Sequence, residues 1–580
     1  MAPPRSRSSR WPTGLLLLAA CGSGGSEQST TTNHDDTTPP TAGEVFDGIA
    51  GDISSQTSST TIRANWRGFT DDSGSIAEYR WAIGTTPGGT ELQDWTSVGT
   101  ATQASNTALA LGVGTTCYAA VRGFDAAGNA SAPAVSDGVL ISNAPGGGGT
   151  ATGTLASTVS QWGVTWQFAE PELVGQFANG DWWVIGPVSI VQITPLTHTI
   201  GTRTVNGSMI NPTSIVDGFH GYDSELFHPF ENDRYKASLN VAIGVGASSP
   251  LVLQGGTSLI SVISYTSETT PANGSHSQLA TAAVLTVLPE APPAGAFRPP
   301  YAGTDKTIRH READLDYTAL GSIAAAPGTP AIADVADRFQ RVWLDHMSGW
   351  TSRYMHPVDN MPDYGRDFCA LFGTGALMLQ LDLPNEHKRD LLVRLVQIGI
   401  DFWGNVQNGG YWEGVVGHGS GRKMPILLAG AVLNDAGMLA VGTTHPSGYF
   451  GPGNANNRSQ FGEDCQTFYV EQTAPGVYNW GNGGYTSAHL GLPEWGVSHT
   501  HAPGSDNSVW LADPYRRCCT ACAWPGQTLA ARIMGLRTAW NHASYFDYVD
   551  RYMQTETPGE WTRSWDPWQA AMWDMHRANF

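Results

Sequence analysis

Apolar and polar positions alternate with a period of two through the first half of the chain and recur at about 3.6 residues in the rest. Three short alternating segments, Thr61-Ile62-Arg63-Ala64-Asn65-Trp66, Tyr79-Arg80-Trp81-Ala82-Ile83 and Cys117-Tyr118-Ala119-Ala120-Val121, are separated by Gly, Asp and Pro turns. Strands at that spacing predict a β-sandwich over 41–144. Gly146, Gly147, Gly148 and Gly149 then mark a linker. A second stretch, 154–288, holds aromatic and β-branched runs at 162–168 and 181–191 and predicts a second sandwich. Its neighbours Trp182 and Trp183 face opposite sides of a strand, so at most one meets a ligand while the other is core. The proline-rich 289–300 ends this stretch. Beyond it the helical period predicts helices over 331–346, 366–381, 386–406, 422–439, 527–540, 543–553 and 566–578, within a helical domain at 299–580. Long polar, Gly-rich loops at 446–458 and 478–503 interrupt them, and loops on a helical scaffold commonly carry function.

The N-terminus reads differently. Arg5, Arg7 and Arg10 precede the apolar run 15–20, which closes in Leu18-Ala19-Ala20-Cys21. This resembles a bacterial export signal ending in a lipobox. The resemblance implies that 1–21 are signal and lipobox, that Cys21 is lipidated, and that the Ser/Gly/Thr-rich 22–40 is a flexible tether. The product is then exported and anchored to the cell envelope, or secreted if the lipobox is not used. With 31 basic and 51 acidic side chains the net charge is −20, which argues against nucleic acid or an anionic membrane surface as partner. Apart from the lipid, no apolar run of about 18 residues suggests contact with a membrane. One or two disulfides are expected among the six remaining cysteines; Cys518, Cys519 and Cys522 lack the second half of a zinc module.

Candidate chemistry concentrates in the helical part, where 13 of the 21 tryptophans lie. Tyr364, Arg366 and Asp367 stand just before an apolar helix, positioned to line the mouth of a helical barrel or, for Asp367, to cap the helix. The densest run is 411–423, which packs Trp412, Glu413, His418, Arg422 and Lys423 among four glycines that permit tight turns or close approach. Two further runs carry Trp495, His499 and His501, and Tyr515 and Arg516; Glu463-Asp464 and Glu494 add carboxylates. A His-x-His pair suits a metal on a strand and equally suits hydrogen-bonded structure. No cofactor is expected, and a divalent metal stays open. Tyr515 beside Arg516 suits acid/base chemistry on a carboxylated sugar, since arginine pairs a carboxylate bidentately.

The segment 41–144 resembles a fibronectin type III domain, carried by Trp66, the approach from Leu109 and Leu111 to Tyr118, and Asp125-Ala126-Ala127-Gly128-Asn129-Ala130-Ser131. Two sandwiches followed by an all-α, tryptophan-rich domain resemble bacterial carbohydrate-active enzymes with an α/α toroid, polysaccharide lyases above all, although in many of those the toroid comes first. The resemblance implies a polysaccharide substrate held in a cleft and cleaved by β-elimination at a uronic acid. The catalytic set on that reading is Tyr364, Arg366, Asp367, Glu413, His418, Tyr515 and Arg516, with Trp412, Arg422, Lys423, Trp495, His499 and His501 binding substrate. Two alternatives stand beside it: a glycoside hydrolase with paired carboxylates about 5 to 9.5 Å apart, and a non-catalytic glycan-binding or adhesion protein.

Overall fold

The alternation at 62–67 is realised in one strand, with Ile62, Ala64 and Trp66 buried and Arg63 and Arg67 exposed. The computed structural model describes residues 36–48, 55–56, 60–72, 74–112, 114–141, 153–213, 219–226, 234–266, 279–347, 355–361, 365–412, 419–446, 460–478, 485–495, 516–556, 558 and 561–580. The chain divides into two units, 1–141 and 142–580.

In the first unit β1 (Glu44–Asp47), β2 (Ser55–Gln56), β3 (Ile62–Arg67), β4 (Glu78–Gly84), β5 (Gln93–Ser97), β6 (Gln103–Asn106), β7 (Thr116–Phe124), β8 (Ala134–Val135) and β9 (Val139–Ile141) form two sheets. Their orders are β1-β3-β6 and β2-β9-β7-β4-β5, with β8 on β7. Trp66, Trp81, Cys117 and Val121 fill the core between them. The unit begins earlier than 41: Pro40 is buried, and the Asn129 amide donates to the Asp36 carbonyl at 2.9 Å. These last residues of the expected flexible tether therefore belong to the fold.

The second unit opens with β10 (Thr154–Gln161), β11 (Val164–Gln176), β12 (Trp182–Ile185), β13 (Val188–Thr194), β14 (His198–Ile200), β15 (Arg203–Val205), β16 (Ser208–Ile210), β17 (Leu251–Leu253), β18 (Thr257–Ser264) and β19 (Leu279–Leu288). Instead of two sheets, eight of these strands make one, ordered β16-β18-β19-β12-β11-β13-β17 with β10 on β11. The long β11 explains how. Its first half pairs with β13 and its second with β12, and the register shifts between Gln167 and Phe168. A bulge of this kind bends a strand, so the sheet folds over one sandwich-like core in which Trp166, Phe168 and Ile190 meet Val184, Leu285 and Val287. Trp183 is buried and Trp182 half-buried, as their alternation requires.

The other face of β18 and β19 is covered as well. Ile260, Val262, Ala282 and Val284 pack against Tyr301, Val342, Leu344 and Met347, which explains why both strands read as nearly continuous apolar runs. The proline-rich segment is thus not a domain boundary, because sheet and helices share a core. Arg298 fastens them. Its guanidinium, 0% exposed, donates to Asp181 at the β11–β12 turn (2.6 Å) and to both oxygens of Asp401 (2.9 and 2.6 Å) on a helix of the following region. The Lys306 ammonium holds the same linker by donating to the carbonyls of Pro300, Tyr301, Ala302 and Gly303.

The helices are α1 (Ile332–Asp337), α2 (Gly365–Met378), α3 (Asn385–Gln407), α4 (Lys423–Val432), α5 (Ala436–Leu439), α6 (Val441–Thr444), α7 (Gly462–Gln466), α8 (Pro525–Ile533), α9 (Arg537–Trp540), α10 (Ala543–Thr555), α11 (Trp561–Trp565) and α12 (Pro567–His576). Two expected helices are split by left-handed residues, Asn434 (φ 52°) and Gly535 (φ 68°). The helix expected at 331–346 stops after six residues. Past it the chain serves two cores alternately, Val342 and Leu344 facing the sheet and Trp343 the helices. That is a period of two, which a helix cannot supply. Nor is the region all-α: β20 (Thr467–Tyr469) pairs with β23 (Pro493–Trp495), and β21 (Gln472–Ala474) with β22 (Val477–Tyr478). Among the described residues no helix is long and apolar enough to cross a membrane.

Replacing Arg298 with Met strands two buried carboxylates, and losing one partner of such a cluster costs about 3–5 kcal/mol. Denaturant unfolding followed by tryptophan fluorescence should show that loss; a change within about 0.5 kcal/mol, the range of an ordinary surface substitution, would mean the cluster does not fasten the unit.

Candidate functional site

Glycine opens the most polar part of the helical region. A Cβ on Gly421 (φ +95°) would lie 2.7 Å from Cys369 Cα, and one on Gly462 would lie 2.6 Å from the Gly419 carbonyl carbon. The turn before α4 is therefore pressed against the starts of α2 and α7, as the glycines of 411–423 suggest. Ser420 Oγ accepts from the Trp524 indole N–H at 3.1 Å and ties α8 to the same point.

The next two residues are cations, and both turn inward. Arg422 lies over the Phe368 ring with its guanidinium carbon 3.6 Å from the centroid, donates Nε to Asp345 at 2.6 Å, and bonds the Ser420 carbonyl at 2.8 Å. Lys423 donates to Asp464 and to the Trp540 carbonyl (2.6 Å), while the Trp540 indole donates to Asp464 at 2.7 Å. With side chains 1% exposed, each is engaged within the fold. Neither is open to a sugar directly, contrary to expectation, because both are buried against partners within the fold.

The charge count decides the rest. Among the described residues, two cations face three buried carboxylates, Asp345, Asp464 and Glu463. Among the described residues Glu463 has no cation paired to it; its Oε2 accepts a 3.3 Å bond from Gly421 N–H, and Oε1 has no hydrogen-bond partner. Burial, and then the negative charge of Asp464, push its carboxyl well above the ordinary range, so it holds a proton near neutrality. Burial also raises Asp345 to about 6 against the opposing pull of Arg422. His356, stacked on Trp343 at 5.4 Å, and His346 are lowered to about 3 by burial and are neutral.

The other predicted residues are distributed around this centre. Arg366 and Asp367 pair at 3.0 Å in the first turn of α2, with Arg366 beside the Trp565 ring. Trp412 is 1% exposed and stacks on Phe461 at 5.7 Å; Trp495 is 0% exposed on β23. Both are core rather than open platforms for a sugar. Glu494 accepts from Arg551 and from Tyr485 at 2.8 Å. Tyr364, Glu413, His418, His499, His501 and Tyr515 lie outside the described residues, as does the side chain of Arg516. Cys519 is disulfide-bonded, whereas Cys117, Cys369, Cys465 and Cys522 are free. Sequence reasoning passed over Asp345, because the helix expected at 331–346 concealed it; the visible signal was an Asp-His pair inside an apolar stretch. Among the described residues, one group has metal-ligand geometry, Asp36, Asp71 and Asp125 of the first unit, with one oxygen from each within 4.8 Å of the others.

Glu463→Gln imitates the protonated carboxyl, and the sign of the pH effect follows. An acid whose folded pKa is raised binds more protons folded than unfolded, so its contribution is unimpaired at low pH and is lost as pH rises from the ordinary carboxylate range through the folded value. Glu463→Gln should match the parent near pH 5 and become progressively more stable than it toward pH 9, in thermal melts across that range. Parallel pH profiles would show that Glu463 is not held protonated.

No protein-family model matches this chain, and no curated protein matches it. Among solved structures, the chitinase ChiA74 from Bacillus thuringiensis is similar to it over 31% of this chain and 21% of its own length, at 20% identity and a TM-score of 0.15. The matched part is a small share of that enzyme, and a likeness at this level carries neither fold nor activity to this chain.

Proposed function

We propose that this chain is an exported, lipid-tethered enzyme that cleaves an extracellular polysaccharide by β-elimination at a uronic acid. The tether is Cys21, residues 36–141 are a fibronectin type III-like spacer, and the helical region is an α/α-toroid-like scaffold. The strand division supports the spacer, with β1-β3-β6 set against β9-β7-β4-β5. Helix packing supports the toroid: α2 packs on α4 and α8, α3 on α4, and α12 on α8.

The observation that carries the reaction class is the state of the carboxylates. A glycoside hydrolase needs two of them facing a cleft. Among the described candidates, Asp367 pairs with Arg366, Asp464 with Lys423 and Glu494 with Arg551, while Glu463 is fully buried. Elimination asks for something else. A base removes the proton next to the uronate carboxylate, a cation or hydrogen-bond donor stabilises the charge that develops, and an acid protonates the departing glycosidic oxygen. His418, Tyr515 and Tyr364 supply the proton-transferring groups, and Arg366 and Arg516 the cations. Gly365 beside Tyr364, and Trp412 and Gly419 at the two ends of 413–418, are buried in the region that holds the charged centre.

A panel of uronate-containing polysaccharides should yield ultraviolet-absorbing unsaturated ends together with new reducing ends. His418→Ala or Tyr515→Phe should lower turnover about 10²-fold, the scale of lost acid/base catalysis. Reducing ends without absorbance would transfer the reading to a hydrolase using Glu413, for which Glu413→Gln should be nearly inactive. Cell fractionation tests the tether separately: Cys21→Ser should move the protein from membrane to soluble fraction, and unchanged membrane association would refute lipidation.

A further inference from the structure

A cavity of about 220 Å³ lies where the linker 297–310 meets α3 and α5, and it shares no lining residue with the charged centre before α4. Its walls are of two kinds. Trp403, Phe297 and Met438 are apolar, whereas Gln407, His310 and Asp435 are polar. Trp403 and Gln407 stand four residues apart on α3 and so project side by side.

The polar wall is built and has spare capacity. His310 Nε2 is fixed on Asp435 Oδ2 at 2.9 Å, and Asp435 Oδ1 accepts from Met438 N at 3.0 Å, which immobilises the carboxylate. Within the fold, neither the Trp403 indole N–H, the Gln407 amide nor His310 Nδ1 bonds to a described residue. Three residues with polar groups to spare thus line a space with an aromatic wall. That combination suits a ring with apolar C–H edges and several hydroxyls.

Charge narrows the class. Arg298 on the wall is matched by Asp181 and Asp401, Arg309 by Asp305 at 2.7 Å, and His310 by Asp435. A carboxylated ring would therefore compete with a carboxylate already placed beside each of these groups. Size narrows it further, since drug-sized ligands fill pockets of about 300–1,000 Å³. At about 220 Å³ the cavity takes one ring and not a run of chain. We propose that it binds a single neutral, hydroxyl-rich pyranose, the terminal residue of a glycan. This site is independent of the reaction proposed above and would survive its failure.

The test is calorimetric titration of the full chain with the methyl glycosides of glucose, galactose and mannose, and in parallel with glucuronate. At least one neutral glycoside should bind saturably, with a Kd of about millimolar order as expected for a ligand of a dozen heavy atoms, and more tightly than glucuronate. Gln407→Ala and Trp403→Phe should each weaken that binding about tenfold or more, with thermal melting unchanged in Gln407→Ala. Gln407 is exposed, so its variant decides the matter if Trp403→Phe does not fold. Absence of binding by every neutral glycoside, tighter binding of glucuronate, or binding indifferent to Gln407→Ala would each overturn the assignment.

Discussion

Everything in the second unit depends on one buried guanidinium. Arg298 joins a turn of the folded-over sheet to the C-terminal part of the longest described helix, and its own backbone is clamped by Gln397 through two 2.9 Å hydrogen bonds. A buried ion cluster of this kind is weak evidence for net stability, because desolvation offsets most of the Coulomb gain. Its value lies in register. Asp401 receives both guanidinium nitrogens and the Tyr301 N–H at 3.0 Å, so the linker can dock on α3 in only one way. Tyr301 in turn accepts from Asp345 N–H (2.9 Å) and from Asn405 (3.0 Å). Asp345 is the carboxylate that holds Arg422. An unbroken chain of hydrogen bonds therefore runs from the sheet, through Arg298 and Asp401, to the charged centre before α4.

That centre is unusual in balance more than in strength. Its cations are spent on their own counter-ions, and the surplus carboxyl avoids charge by keeping its proton. The neutral histidines beside it follow the same rule, since burial leaves the uncharged form of each group as the favoured one. The result is a rigid, nearly neutral floor under the turn 419–422. Such a floor suits a positioning role, because groups supplied by other segments can be held against it without competing fixed charges.

Much of this was legible in sequence. The helix at 385–407 falls within a residue of its periodic signal at each end, the one at 365–378 stops three residues short of it, and the glycines of 411–423 announced a close approach that Gly419 and Gly421 make. The parts that were not legible share a cause. Arg422 and Lys423 look like surface cations at a helix start, and only partners 77 and 41 residues away in sequence reveal them as buried. The stretch 338–347 looks helical by composition, yet it lies between two cores and must present alternate residues to each. The second sandwich looked like two sheets, because nothing in the sequence of β11 shows that one strand pairs with a different neighbour at each end.

The double burial of β18 and β19 also bears on how such a protein can be rearranged. A sheet with one wet face is a portable module, and helices can be joined to it or removed without exposing much of either. Here the same two strands serve as core for the folded sheet on one side and for the helical region on the other. Cutting at the proline-rich segment would lay bare an apolar face on each fragment, and large exposed patches of that kind lead to association or precipitation. The unit of recombination, in nature or in the laboratory, is therefore the whole of 142–580.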